Sequence, residues 1–309
     1  MPLSERYQQQ VALLIEALPF VAAEKDFALK GGTAINLFVR DMPRLSVDID
    51  LTYLPVAGRP ESLAAIDAAM KRMAGTIRSG LRDAHVNEVV NEQEGIVTKL
   101  TVQRFDAQIK IEVTPVLRGC VFEPELRSVS EKVEESFGFA ETQVVSFSDL
   151  YAGKIMAALD RQHPRDLFDV RDLLANEGIS DDLRKAFIVY LISHHRPISE
   201  VVVPVRKDIR KEFEQNFDGM THEPVTLEEL LKAREDLIAE VSGKMPKQHR
   251  EFLIGFKRGA PDWNLLGVPG AAELPAVKWK QINLDKMSKD ARAKAIARLD
   301  EVLNKGGES

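Results

Sequence analysis

The chain has a single cysteine, Cys120, so an internal disulfide framework is excluded and a reducing compartment, the cytoplasm, is expected. No Cys/His cluster stands at metal-ligand spacing, which argues against a structural zinc site. No apolar run approaches the roughly 20 residues that cross a bilayer, so no membrane partner is expected. The opening MPLSERYQQQ lacks the basic start and apolar core of a signal peptide. An excess of positive charge is also missing. The formal net charge is −6, so nucleic-acid binding would have to come from a local patch. Internal repeats and low-complexity tracts are absent. What remains is an ordinary globular balance, 44% hydrophobic and 29% charged. At 309 residues this makes two domains, or one core with a large helical appendage.

The rest of the chain is arranged around residues 29–51, LKGGTAINLFVRDMPRLSVDIDL. A strand over 47–51 would alternate its side chains. Asp48 and Asp50 would then share one face, with Val47, Ile49 and Leu51 on the other. Two carboxylates on one face repel unless protons or cations neutralise them, and magnesium is the usual solution beside phosphates. A solvated strand face with two acids is the plain alternative. Upstream, a strand over 27–30 runs into Gly31-Gly32, and Thr33 is placed to cap a helix ending near Val39. Such a turn exposes backbone N–H groups at a helix N-terminus, where a phosphate can approach closely. A tight turn needing positive φ would use the same residues.

Helical spacing of Val11, Leu14, Ile15 and Leu18 predicts a helix over 5–24, ended or kinked by Pro19. After a loop over 54–60, Ile66, Ala69, Met70, Met73 and Ile77 form the apolar stripe of a helix over 61–80. Strands are expected at 85–90, 96–102 and 107–116, the last two joined by a hairpin-length connection at 103–106. In the last strand Lys110 and Glu112 face away from Ile109, Ile111 and Val113, so Glu112 is available as a third acid. The polar faces point to an antiparallel or mixed sheet with helices on its other side. The expected fold class is α+β: an N-terminal mixed sheet with flanking helices over 1–146, then a mostly helical domain over 147–309.

In the second part, Ser148 is placed to cap a helix to about Asp160 that carries Lys154, and Pro164 opens the next. There Leu167, Val170 and Leu174 read as buried, and Asp166 and Asp169 share a face. Further helices are expected near 181–195, 205–217, 226–242, 247–256 and 288–304. Thr226 and Glu229 form a capping box, and Ser288 caps the last helix. The Gly/Pro-rich stretch before it reads as an ordered loop, and the final KGGES as loose.

Taken together, GGTAINLF, RLSVDIDL, IKIEV and GKIMAALDRQHPRDLFDVRDLL occur in an order that resembles the AbiEii/AbiGii toxin family of nucleotidyltransferases. These belong to the DNA polymerase beta-like superfamily. FKRGAPDWNLLGVPGAAELPAVKWKQINL is similar to that family's C-terminal part, so the resemblance spans roughly 7–285. It implies that Gly32 and Thr33 cradle a triphosphate, as the superfamily's Gly-Ser does. It implies that Asp48, Asp50 and Glu112 are the catalytic metal-binding acids, with Mg²⁺, or Mn²⁺ in its place. Lys154 is similar to the motif lysine that contacts nucleotide phosphates. Arg161, Arg165, Asp166 and Asp169 match a pattern in which one aspartate belongs to the active site; the sequence does not choose between the two. The gap from Thr33 to Asp48, 14 residues, exceeds the superfamily's usual spacing. It carries Arg40, Arg44 and Ser46, with Arg44 and Ser46 read as nucleotide contacts or as loop packing.

The implied reaction moves a nucleoside monophosphate from an NTP to an acceptor hydroxyl, releasing pyrophosphate. Family members are toxins that modify RNA, with tRNA 3′ ends the expected acceptor, and a cognate antitoxin encoded nearby is the implied partner. Between 244 and 280, seven Lys/Arg stand against three acids, with Trp263 and Trp279 interleaved. This suits single-stranded RNA, while buried tryptophans among solubilising lysines would look the same. A small-molecule or protein acceptor, and a non-catalytic member of the fold, remain alternatives. Taken alone, Lys154 would read as a solvated lysine, and Arg165 with either aspartate as a helix ion pair. His163, His194, His195 and Cys120 carry no motif and read as structural or surface residues.

Overall fold

The computed structural model describes residues 5–305. The chain divides into two compact units. One holds the residues up to Ser146 together with Met220–Glu223, and the other holds Phe147–Gly219 with the chain from Pro224 onward.

The first unit is a seven-stranded mixed sheet with helices. Helix α1 (Glu5–Ala22) leads to β1 (Phe27–Lys30), which passes directly into α2 (Gly31–Ala34) and a wider π turn, Ile35–Val39. Strand β2 (Asp48–Tyr53), helix α3 (Arg59–Gly80) and the meander β3 (His85–Asn91), β4 (Ile96–Arg104) and β5 (Ala107–Val113) follow. Strand β6 (Glu125–Ser128), helix α4 (Glu131–Phe137) and β7 (Glu141–Val144) complete the unit. The strand order is β3-β4-β5-β2-β1-β7-β6. Strands β2 and β5 run parallel, as do β1 and β7, and the other pairs are antiparallel. Helix α1 contacts β5 and β7, and α3 contacts β3 and β4. On the apolar face of the sheet Ile49, Ile109 and Ile111 are all excluded from water. Each such side chain contributes roughly 1.5–3 kcal/mol. Packing this face leaves the alternate residues of β2 and β5 on the opposite one.

Several expectations shift in this unit. Helix α1 runs through Pro19 to Ala22. The missing N–H costs one helical bond, but buried Leu18 and Val21 hold the last turns in place. Thr33 is not a cap: Lys30 occupies that position, and Thr33 lies inside the first turn. The last strand of the meander stops at Val113, just before Pro115, which has no donor for the ladder. The β6–α4–β7 segment was not expected from the sequence. Its strands are four residues each and largely without an apolar period.

The second unit is helical. Its helices are α5 (Phe147–Asp160), α6 (Pro164–Asn176), α7 (Asp181–Ser193), α8 (Ile198–Val202), α9 (Arg210–Asn216), α10 (Leu227–Ile238), α11 (Lys247–Arg258), α12 (Pro275–Asp285) and α13 (Lys289–Lys305). Helix α5 packs on α6 and α7, α10 on α6, and α11 on α13. The Thr226/Glu229 capping box forms, and Ser288 Oγ accepts from Ala291 N at 3.2 Å. Ser148 falls inside α5, one residue past its start. In α6, Leu173 rather than Leu174 is fully buried. The helix expected at 205–217 begins only at Arg210, and the one expected to reach 242 gives way to a π turn, Ala239–Gly243. The stretch read as a loop contains α12, whose first residue is Pro275. All but the first residue of KGGES lies outside the described residues. Among the described residues no helix is long and apolar enough to cross a membrane.

Candidate active site

The turn after β1 depends on two glycines for different reasons. Gly31 has φ +76°, and a Cβ there would run into Asp50 Oδ2. At Gly32 a Cβ would lie 2.7 Å from Arg44 Nη2 and 2.8 Å from Ser46 Oγ. The 34–47 segment therefore folds back over the turn. Thr33 is fully buried and ties this arrangement to β2: its hydroxyl donates to the Asp48 carbonyl at 2.5 Å and lies 3.2 Å from Ser46 Oγ. Asn36, which sequence reasoning passed over, is the other clamp. Its Nδ2 donates to Gly32 O at 2.8 Å, and its Oδ1 accepts from Arg44 N at 3.3 Å. A buried polar residue in an apolar helix was the available clue. Arg44 is itself buried. Its Nη1 donates to Leu45 O at 2.8 Å, and its backbone bridges to Thr221. Ser46 N donates to the Tyr7 hydroxyl at 3.0 Å.

The three acids meet on one face. Strand β2 lies beside β5 with Asp48 in register with Lys110 and Asp50 with Glu112. Parallel register partners share a face, so Asp48, Asp50 and Glu112 lie together, all half-buried. Three lysines that sequence reasoning left without a role occupy the same face. Lys30 on β1 pairs with Asp50, and Lys99 on β4 pairs with Glu112, its Nζ 2.8 Å from Glu112 Oε1. Lys110 is the third. Burial pushes the Lys30 ammonium below the usual lysine range, against the pull of Asp50 and then of Cys120.

The donors are all carboxylate oxygens, which suits Mg²⁺ or Mn²⁺. Among the described residues no three His, Cys, Asp or Glu side chains are gathered into a ready-made ion cage. That is compatible with magnesium, which usually takes one or two carboxylates and completes its shell with water and substrate phosphates.

In the helical unit, Lys154 of α5 is only 7% exposed and bonds Asp166 Oδ1 at 2.8 Å and Asp169 Oδ2 at 2.9 Å. Arg161 donates to both Asp166 oxygens, at 2.5 and 2.9 Å, while its own side chain is 63% exposed. The (i, i+3) spacing on α6 is what brings the two aspartates to one lysine. Burial alone would raise the Asp166 carboxyl; Lys154 and Arg161 outweigh it and hold the group well below the usual carboxylate range. Arg165 is half-buried at the start of α6. His163 caps that helix, its Nδ1 accepting from Arg165 N at 3.1 Å.

The basic stretch of 244–280 divides. Lys244, Lys247 and Lys278 pair with Glu240, Glu251 and Glu273. Lys280 donates to the His194 carbonyl at 2.5 Å. Trp263 rests edge-on against Phe252, whereas Trp279 is 60% exposed between Lys278 and Lys280.

A family model described as nucleotidyl transferase AbiEii toxin, type IV TA system, matches residues 12–281. No individually curated protein matches the sequence. Among solved structures the chain is similar to MenT4, a nucleotidyltransferase toxin from Mycobacterium tuberculosis. The TM-score is 0.61 at 14% identity, covering 96% of this chain and 95% of that one. At that identity the likeness speaks to the fold: an α+β nucleotidyltransferase-toxin architecture. With the acids of β2 and β5 behind a Gly-Gly-Thr turn and a family match over most of its length, the chain belongs to the AbiEii family, nucleotidyltransferase toxins of type IV toxin–antitoxin systems.

Proposed function

We propose that the protein is a Mg²⁺-dependent cytoplasmic toxin that transfers a nucleoside monophosphate from an NTP to RNA, at the 3′ end of tRNA, and is neutralised by an antitoxin encoded beside it. The observation that carries this reading is the register that sets Glu112 beside Asp50 on the face holding Asp48. Asp48 and Asp50, joined by Glu112, would hold the ion, which when bound offsets the charge of the triphosphate. The chain's own residues do the rest. Backbone N–H groups of the turn at Gly32 and Thr33 would receive the phosphates, while the Thr33 hydroxyl fixes the turn against β2. Arg44 and Ser46 set the shape of that turn from above. Glu112 takes the proton from the acceptor hydroxyl as its oxygen bonds to the α-phosphorus. The bond from that phosphorus to the bridging oxygen breaks, and pyrophosphate leaves.

In this reading Arg161 and Arg165 would contact nucleotide phosphates, as the family resemblance implies for their motif. Lys154, shared between two aspartates, contributes through that pair. Asp166 grips both cations, so it is the better choice for the motif's active-site aspartate. RNA as the acceptor is favoured by exposed Trp279 between two lysines, a platform on which an unpaired base can stack.

Incubation with α-labelled NTPs and total RNA, followed by separation of the products, tests the acceptor. Label in the tRNA band supports the proposal. Label in protein or small molecules shifts the acceptor to those classes, and no label anywhere removes the activity.

A further inference from the structure

The lysines of the acid face have no part in the roles above. Across β4, β5, β2 and β1 runs a row in which Lys99 opposes Glu112, Glu112 stands beside Asp50, and Asp50 opposes Lys30. In the next row Lys110 stands beside Asp48. Every carboxylate of the proposed metal site therefore has a lysine as its cross-strand neighbour, and on this face three positive charges meet three negative ones. The two central acids lean in opposite directions, Glu112 toward β4 and Asp50 toward β1. Glu112 reaches Lys99 at 2.8 Å, and Asp50 Oδ2 fills the space above Gly31, next in the chain to Lys30. Like charges in register repel and opposite ones attract, so each lysine stabilises the acid across from it.

We propose that Lys30 and Lys99 are built-in counter-ions that keep the face closed to a free divalent cation, so that the metal enters only together with a nucleoside triphosphate. The inference rests on the nucleotidyltransferase reading of these acids. A divalent ion arriving alone must displace ammonium groups that already satisfy its ligands, and it leaves the face with two uncompensated positive charges. A metal–triphosphate complex carries roughly two net negative charges, which match the two left uncompensated, and the displaced lysines find new partners in its phosphate oxygens. Lysine suits the exchange because its charge is compact and its stem flexible. Metal and nucleotide then strengthen each other's binding by the same factor.

The test is a Mn²⁺ titration of the full chain, following free ion by electron paramagnetic resonance, with and without a non-hydrolysable NTP. Wild type is compared with Lys30→Met, Lys99→Met and Lys99→Arg. Wild type is expected to bind Mn²⁺ at least about tenfold more tightly with nucleotide than alone. The methionine variants should bind the ion alone at least about tenfold more tightly than wild type and lose most of that coupling, while Lys99→Arg behaves as wild type. A wild type that binds the ion equally well in both conditions, or folded methionine variants with unchanged affinity, overturns the proposal. A wild type that binds no nucleotide overturns the underlying reading instead, and the ion-only affinities of the methionine variants then still decide the counter-ion role.

Discussion

Asp48, Asp50 and Glu112 stand half-buried on a strand face, each across from a lysine on a long stem. Asp166 and Asp169 are buried on a helix and share one lysine at 2.8 and 2.9 Å. The same pairing of carboxylate and ammonium serves two ends. Where Lys99 and Glu112 meet near water, the pair is worth about 0–1 kcal/mol, and its partners can be exchanged at little cost. Inside the helical unit, removing one partner strands the other in a medium that cannot solvate it. In the proposed function the strand acids are therefore the ones that do chemistry. The helical cluster is assigned first to the integrity of its own unit, with Arg161 as its accessible edge.

The sharpest way to break this contrast is Asp166→Asn. It should cost about 3–5 kcal/mol of stability in a denaturant titration, because Lys154 and Arg161 both lose a charged partner. Glu112→Gln should do the reverse: nucleotide transfer falls about a hundredfold in single-turnover assays while the melting curve stays within about 0.5 kcal/mol of wild type. Equal losses of stability in both variants would erase the distinction. Trp279→Ala should weaken RNA binding by about 1–3 kcal/mol without unfolding, and wild-type binding should weaken as salt rises. The smallest effect is confined to acid. The folded-state pKa of Asp166 is depressed, so its contribution is fully present above the ordinary value of 3.8. It is lost as pH falls through the lower folded value. The helical unit of wild type should therefore lose stability below about pH 4, and Asp166→Asn should lose less over the same range.

The acid face was legible because strand periodicity is written in the chain: Ile49, Ile109 and Ile111 alternate with the acids, and burying one set displays the other. The buried cluster was half legible, since (i, i+3) spacing paired Asp166 with Asp169 but nothing in the sequence said that Lys154 would be enclosed between them. Lys30, Lys99 and Lys110 were invisible as a group. Their meeting with the acids depends on β2 pairing antiparallel to β1 and parallel to β5, a property of register that no single strand carries. Thr33 misled because a hydroxyl after two glycines looks like a cap, whereas here Gly31 and Gly32 already belong to the helix. Helix α12 was hidden in a Gly/Pro-rich stretch, although Pro275 at its first position was the cue.

In the proposed function the half-buried strand acids perform the transfer. Asp48→Asn keeps the backbone carbonyl that receives Thr33 and removes only carboxylate charge. The most direct measurement is single-turnover transfer from an α-labelled NTP to tRNA by this variant, at a temperature where it is as folded as wild type. The expected rate is at least about a thousandfold below wild type. Transfer at the wild-type rate would contradict it.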